Sequence, residues 1–553
     1  MITKTLKLII ILPSVVAGVL SVTQYSAAVS SADPTLLQAA VREGKQGKEE
    51  LRALTPQEKR GKAFYLRSES STGQEITAFI GEVDVPASTV PCGGCHGARG
   101  AGKAEGGVIA GNLIWSNLIK SYGHTHEGGR KHAAFSESSF IRALTAGTDP
   151  SGNKMSVAMP TYRLPQQDMA DLIAYLKRIE TDRDPGLSET SLVLGTVLPD
   201  KGPLADMGQA MREVLQSYFD EVNSNGGIYN RKIELRVAAV AGDAASTVAN
   251  TKRLIEDDQV FAIASSLTAG ADEGMAALSR EAGVPLVGPS TLLPERNLPL
   301  NRHVFYLLSG LNEQARALAN FAAKRMDPQK SRVAILCPDA VLNRRIADSV
   351  EDQGKKNGWT RVSRIYYQRE RPNPAQLAAE LKQQGVDTVF FLGPPGEASA
   401  LFKAAEGANW LPSIYALGTL AGKAITESVP VQMKDKVFLA FPTVPTDVSD
   451  AGAAEYNALL KKYSLKPSAH DAARFSAFAA AKILVEALKL AGKDLSREGL
   501  MTALEGLYEF DTGLTPKISF GPNRRIGALG AYIVTIDPEK KLFPASVEWT
   551  STD

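Results

Sequence analysis

Two thiols three residues apart with an imidazole directly after them, Cys92-Gly-Gly-Cys95-His96, form the most chemically specific stretch of the chain. Thiols at this spacing can add to the two vinyl groups of a haem, and the next residue, His96, is then placed to ligate the iron. The motif uses two of only three cysteines, so one covalent haem is expected. A zinc site is the other chemistry open to Cys and His at short spacing. The third cysteine, Cys337, ends the apolar run Arg332-Val-Ala-Ile-Leu-Cys337. It reads as a small buried hydrophobe on a strand, with a reactive thiol as the alternative. His124, His126 and His132 fall close together at irregular spacing. They suit either a solvated loop or a metal or distal-ligand role. Hydrolase, metalloprotease and phosphate-loop motifs do not occur in the sequence, so catalysis by this chain itself is not expected.

The elements needed to hold the motif can be read on either side of it. Thr55-Pro56-Gln-Glu58 has a capping Thr, a Pro at the first helical position and a Glu to close the box. A helix is predicted from there to Arg67. Glycines from Gly97 to Gly102 let backbone pass close to a flat ligand. A second helix, Gln166 to Arg178, carries Met169, Leu172, Ile173 and Leu176 at helical spacing, extended by Ile179, which assigns Met169 to the core. With Ala158-Met159-Pro160-Thr-Tyr162 between them, residues 56–180 resemble a class I cytochrome c. The resemblance implies a small all-α fold with Met159 as second axial ligand; Met155 lies near enough to compete. It also implies that Gly61 and Tyr65 meet Leu172 and Tyr175 where the first and last helices cross. The loop from Leu66 to Pro91 is longer than the family's small members have. A haem held by His and Met has no open position for a substrate, so electron transfer is its expected chemistry.

From Thr190 onward the texture changes. Strand-length apolar runs (191–198, 233–240, 260–264, 284–288, 332–337, 362–367, 388–392 and 437–439) alternate with amphipathic helices. This argues for parallel sheets covered by helices, in two α/β lobes. Four segments also resemble periplasmic solute-binding proteins of the Leu/Ile/Val-binding type. They are Leu198-Pro-Asp-Lys-Gly202-Pro203-Leu204, Asp220 to Leu235 with its Gly-Gly and Asn-Arg-Lys, Gly242 to Ile255, and Glu281 to Val287. By that resemblance a small polar ligand is held by loop hydroxyls and backbone N–H groups. Thr268, Ala269 and Gly270 fall on one such loop and Ser290 and Thr291 on the next; ordinary turn and cap chemistry is the other use of these residues. Amino-acid binders of the family place an acid on a second-lobe loop to meet the ligand ammonium. The matching position here is Thr419, and covering aromatics are replaced by Leu342 and by Pro394 or Pro395. A buried ammonium without its carboxylate costs several kcal/mol, so the expected ligand is a small organic solute other than a zwitterionic amino acid.

The 553 residues are too many for a single core. The expected order is an export signal (1–32), a polar leader (33–55), the haem region (56–180), a short linker (181–190) and the two-lobed module (191–553). Lys4 and Lys7 precede an apolar stretch, Leu8 to Val22, and small residues near Ala28 and Ala32, as in a cleaved signal; the alternative is an uncleaved membrane tether. A periplasmic location follows. With a net charge of +2 and mixed signs, nucleic acid is not an expected partner. Three functions remain open. The first is a haem electron carrier linked to solute recognition, with a periplasmic redox partner. The second is delivery of solute to an ABC permease. The third is electron acceptance from a periplasmic dehydrogenase.

Overall fold

The computed structural model describes residues 54–552, except 103, 106–107, 127–128, 297, 369–372, 422–424 and 540–545. The expected signal and nearly all of the polar leader lie outside the described residues. The haem region opens on the capping box read from sequence. The Glu58 N–H donates to Thr55 Oγ1 at 3.2 Å, and the Thr55 N–H donates to Glu58 Oε2 at 2.7 Å. The helix Pro56–Arg67 then crosses the helix Gln166–Leu176. Gly61 makes the crossing close: a Cβ there would lie 2.0 Å from the Asp171 carbonyl oxygen and 2.7 Å from Tyr175 Cβ. Tyr65 and Tyr175 meet with ring centroids 5.7 Å apart. Phe64, Tyr65, Leu172, Tyr175, Leu176 and Ile179 are fully buried in the core between them, and Met169 packs there too.

The region is helical but not entirely so. The long loop after Leu66 folds into a hairpin, Thr77–Ile80 against Val83–Pro86. Thr161–Tyr162 adds antiparallel to its other edge, opposite Phe79 and Ala78. The extra residues thus build a small sheet that anchors the segment just after Met159.

Beyond residue 190 the chain forms two α/β lobes. The first lobe has a six-stranded sheet in the order Ile526–Ala528, Val304–Leu308, Leu286–Val287, Ala262–Ala264, Ser191–Pro199, Lys232–Val240. All its pairings are parallel. The second has seven strands in the order Val362–Tyr367, Val333–Pro338, Thr388–Phe391, Ser413–Leu417, Val437–Phe441, Gly530–Thr535, Val547–Ser551. Within it only Gly530–Thr535 is reversed, pairing antiparallel with both of its neighbours. Strands read from sequence are present with ends shifted by a few residues, whereas Val304–Leu308, Ser413–Leu417, Ile526–Ala528, Gly530–Thr535 and Val547–Ser551 were not foreseen. Cys337 lies buried on its strand, where burial pushes the thiol up to about 11, as expected of an inert hydrophobe.

The chain passes between lobes near Ser309, after Phe441 and at Leu529. Ser309 stitches two of these passages: its hydroxyl donates to Ala528 O at 2.8 Å and accepts from the Gly530 N–H at 2.9 Å.

The segment expected as a linker packs against both neighbours. Lys62 of the first helix pairs with Asp182 at 2.7 Å and with Asp184 at 3.2 Å. Asp184 also accepts the Arg497 N–H at 2.7 Å, at the start of the first-lobe helix Arg497–Glu505. Burial alone would raise the Asp184 carboxyl, but Lys62 and Arg497 outweigh it and hold it below the usual range. Arg67 adds a contact to Glu498 at 3.5 Å, and Arg302 holds the same carboxylate at 2.7 Å. Two polar residues of the short linker, Asp182 and Asp184, thus help clamp the haem region to the first lobe.

Candidate functional site

Cys92–His96 forms a one-turn helix, which sets Cys92 and His96 four residues apart on one face. Two tyrosine hydroxyls pin its flanks. Tyr162 donates to Val90 O and Tyr65 to Gly97 O, each at 2.7 Å. Tyr65 comes from the first helix and Tyr162 from the small sheet, so the whole local fold converges on the motif. Cys92 and His96 are buried, and Cys95 is exposed.

A cavity of about 390 Å³ opens beside this helix, lined by Cys92, Cys95, His96, Met155, Met159 and Tyr162 among others. His96 Nδ1 lies 2.6 Å from Gly111 O. A carbonyl only accepts, so Nδ1 carries the proton and Nε2 keeps its lone pair. Burial lowers the ring's pKa despite that bond, which favours the neutral, ligating form. The donor set and the cavity therefore fit a haem: two thiols, a neutral imidazole of fixed tautomer, and two thioethers on the wall. Gly111 as the partner of His96 escaped sequence reading. A backbone acceptor has no side-chain signature, and only the Asx turn at Asn112, whose Oδ1 accepts the Ile114 N–H at 2.8 Å, hints at a shaped loop.

The three histidines are not a freely solvated loop. The strand His124–Thr125 pairs with Lys131–His132, setting His124 opposite His132. All three rings line the same cavity, and His132 is buried. His126 Nε2 accepts from the Arg130 guanidinium at 2.9 Å, and Arg130 pairs with the buried Asp149 at 2.6 Å. This chain of bonds is what keeps the hairpin folded over the cavity. Among the described residues no group of three or more His, Cys, Asp or Glu is arranged to hold a separate metal ion.

In the first lobe, the two expected loops are adjacent. Leu267 bridges to Ser290, and the Thr268 N–H and hydroxyl both donate to Ser290 O, at 3.2 and 3.3 Å. Ala269 and Gly270 follow in left-handed backbone, φ +48° and +87°. The Thr291 hydroxyl accepts from the Leu293 N–H at 2.9 Å. Thr268 and Thr291 thus carry turn bonds of the kind weighed from sequence. In the second lobe, Leu342 lies in the first turn of Val341–Lys356. Thr419 is exposed, its hydroxyl 3.1 Å from Gln314 Oε1.

A family model described as periplasmic binding protein matches residues 191–541, well over half of the chain. The chain belongs to that family. A model of cytochrome c matches residues 88–180, so it also carries a cytochrome c domain, a family defined by haem c. The Leu/Ile/Val-binding protein BraC3 of Rhizobium johnstonii is 24% identical over 339 residues, which span 61% of this chain and 89% of that one. Leu/Ile/Val-binding protein homolog 8 of Brucella abortus is 24% identical over 346 residues, 60% and 84% of the two chains. Among solved structures, a branched chain amino acid ABC transporter from Thermus thermophilus with bound valine gives a TM-score of 0.51 at 18% identity. That match covers 66% of this chain and 98% of that chain, and at such identity it speaks to the fold alone. Among the described residues no helix is long and apolar enough to cross a membrane.

Proposed function

We propose that this chain is an exported electron carrier with one covalent haem c, joined to a module that recognises a small solute, so that recognition and electron transfer are linked in the periplasm. The clamp between the two parts is the observation that carries the linkage. A haem region free on a tether would leave Lys62, Arg67, Asp184 and Glu498 solvated; here they join its first helix to the first lobe. When bound, the haem supplies one-electron transfer. Cys92 and Cys95 would attach it, His96 would ligate it through Nε2, and Met159 would present the second ligand. Tyr65 and Tyr162 hold the attachment turn in place, and the histidine hairpin covers the cavity wall.

The solute follows from the second lobe. Thr419 stands where an acid would answer an ammonium, and its hydroxyl is already engaged by Gln314. A small carboxylate or a less charged organic molecule is therefore favoured over a zwitterionic amino acid. The test is a spectroscopic redox titration of the full haem-loaded chain, with and without the solute that co-purifies. A potential that moves with solute supports the link. A potential that stays put rules out coupling and leaves the two activities merely together in one chain. Micromolar binding of leucine or valine by calorimetry would overturn the solute reading.

A further inference from the structure

The hydrogen bonds of the histidine hairpin do not close with neutral rings. His132 Nδ1 lies 2.7 Å from Ala133 O, and a carbonyl only accepts, so Nδ1 carries a proton. A neutral imidazole has one such proton, which leaves a lone pair on His132 Nε2. That nitrogen faces His126 Nε2 at 3.0 Å. His126 Nε2 is itself an acceptor, because the Arg130 guanidinium, which can only donate, lies 2.9 Å from it. With both rings neutral, two lone pairs point at each other at hydrogen-bond distance. A second proton on His132, at Nε2, turns that contact into a bond. His124 is engaged elsewhere, its Nε2 donating to Asn117 O at 2.8 Å.

The surroundings leave that proton finely balanced. Arg130 is answered by Asp149 at 2.6 Å. Burial would raise the Asp149 carboxyl, but bonds from Asn153, Arg130 and Ser151 outweigh it and hold the group below the usual range, so Asp149 stays ionised. Burial first, then Arg130, His132 and His124, oppose a positive charge on His126, and Asp149 favours one. The completed bond thus draws the proton in while neighbouring cations resist it. Among the described residues no carboxylate lines the haem cavity; its other ionisable residues are Cys92, Cys95, His96 and Tyr162. His132 is buried on the cavity wall and His126 is half-buried, so the pair leads from the cavity toward solvent. A change of one charge inside the cavity falls on a group poised to gain or lose a proton.

We infer that the His126–His132 pair makes electron transfer by this chain proton-coupled, binding a proton as an electron enters the haem cavity and releasing it as the electron leaves. This rests on the haem reading above. A one-electron donor, a reduced redox protein of the periplasm, supplies the electron to the iron; water supplies H⁺ to His132 Nε2; oxidation returns both. The attraction is strong in a cavity of low dielectric, and by linkage the proton favours the electron as much as the electron favours the proton. The test is the reduction potential of the full haem-loaded chain, followed by haem absorbance from about pH 5 to 8, where histidines titrate. The potential is expected to fall as pH rises, the limit being a tenfold change in the reduction equilibrium constant per pH unit, about 59 mV for one electron. In His132→Gln, whose amide does not titrate, the slope is expected to vanish. Should that variant fail to hold haem, His126→Gln carries the same expectation. If the hairpin only shapes the cavity, the variants move the potential equally at every pH and the slope survives, which would overturn the inference. A parent potential that is constant across the window would overturn it too. A parent without covalently bound haem would instead overturn the haem reading itself.

Discussion

Replacing Gly61 by alanine tests the geometry on which the haem region rests. The added Cβ would sit 2.0 Å from the Asp171 carbonyl oxygen, whereas ordinary contact begins near 3.4 Å, so the two helices must part by about 1.4 Å. Neither obstacle is a flexible tip: one is backbone and the other is the Cβ of Tyr175. Tyr65, one turn along the same face, would be carried with its helix. Its hydroxyl bond to Gly97, now 2.7 Å, would stretch beyond hydrogen-bonding reach, and the attachment turn would lose one of its two pins. Overpacking costs about 1–3 kcal/mol and the lost bond about 1 kcal/mol. Alanine's better helix propensity returns about 1 kcal/mol. The net cost is about 2 kcal/mol, or a fall of roughly 8 °C in the melting of a region of this size. Melting of the haem-loaded chain, followed by haem absorbance, reads it directly. A Gly61→Ala chain that melts within about 1 °C of the parent would refute the close crossing.

Met159→Ala should lower the reduction potential, since loss of a thioether ligand removes stabilisation of Fe(II); if Met155→Ala produces the drop instead, Met159 is the wrong ligand. Tyr162→Phe leaves Val90 O without its donor and should cost about 1–2 kcal/mol in denaturant melts of the haem region, while an unchanged midpoint would remove Tyr162 from the anchoring scheme. Asp184 has a depressed folded-state pKa, so its stabilisation is complete above the unfolded value near 4 and is lost as pH falls through the folded value. Asp184→Asn should flatten that acid limb, and an undiminished slope would count against the clamp. His303 acts at higher pH: burial first, then Arg302 and Arg67, push it down to about 4. Its neutral form is favoured on folding, so stability is full above about 6.5 and declines as pH drops toward 4, by about 3 kcal/mol at most. His303→Gln should abolish that decline in urea titrations across the window, and a decline that persists would assign it to another group.

The haem site was legible because its chemistry is local. Cys92, Cys95 and His96 fall within five positions, and Thr55, Glu58 and Gly61 announce the helix that backs them. Gly111 and the hairpin over Met159 were not, because a backbone acceptor and a sheet built from a loop leave no periodic trace. The alternating texture after Thr190 disclosed the two lobes. The strand Val304–Leu308 was missed because its neighbours Leu286 and Ile526 lie far apart in sequence, and such pairing is decided by tertiary context. The clamp itself was not legible, for a simpler reason. Asp182, Asp184 and Arg497 are the residue types of a solvated surface, and only their partners show otherwise.

The path of the chain also has a consequence for how the molecule is made. The haem region is assembled from residues close in sequence and can finish as soon as the chain has passed residue 180. The first lobe cannot. The edge strand of its sheet, Ile526–Ala528, pairs with Val304–Leu308, and the Ser309 stitch spans 219 positions. As the chain emerges N-terminus first, the attachment turn therefore stands complete beside a lobe whose sheet still has a bare edge. Contacts this distant form slowly and leave strands open to wrong pairing. The haem region is ready early, whereas the first lobe's sheet waits for Ile526–Ala528 to arrive.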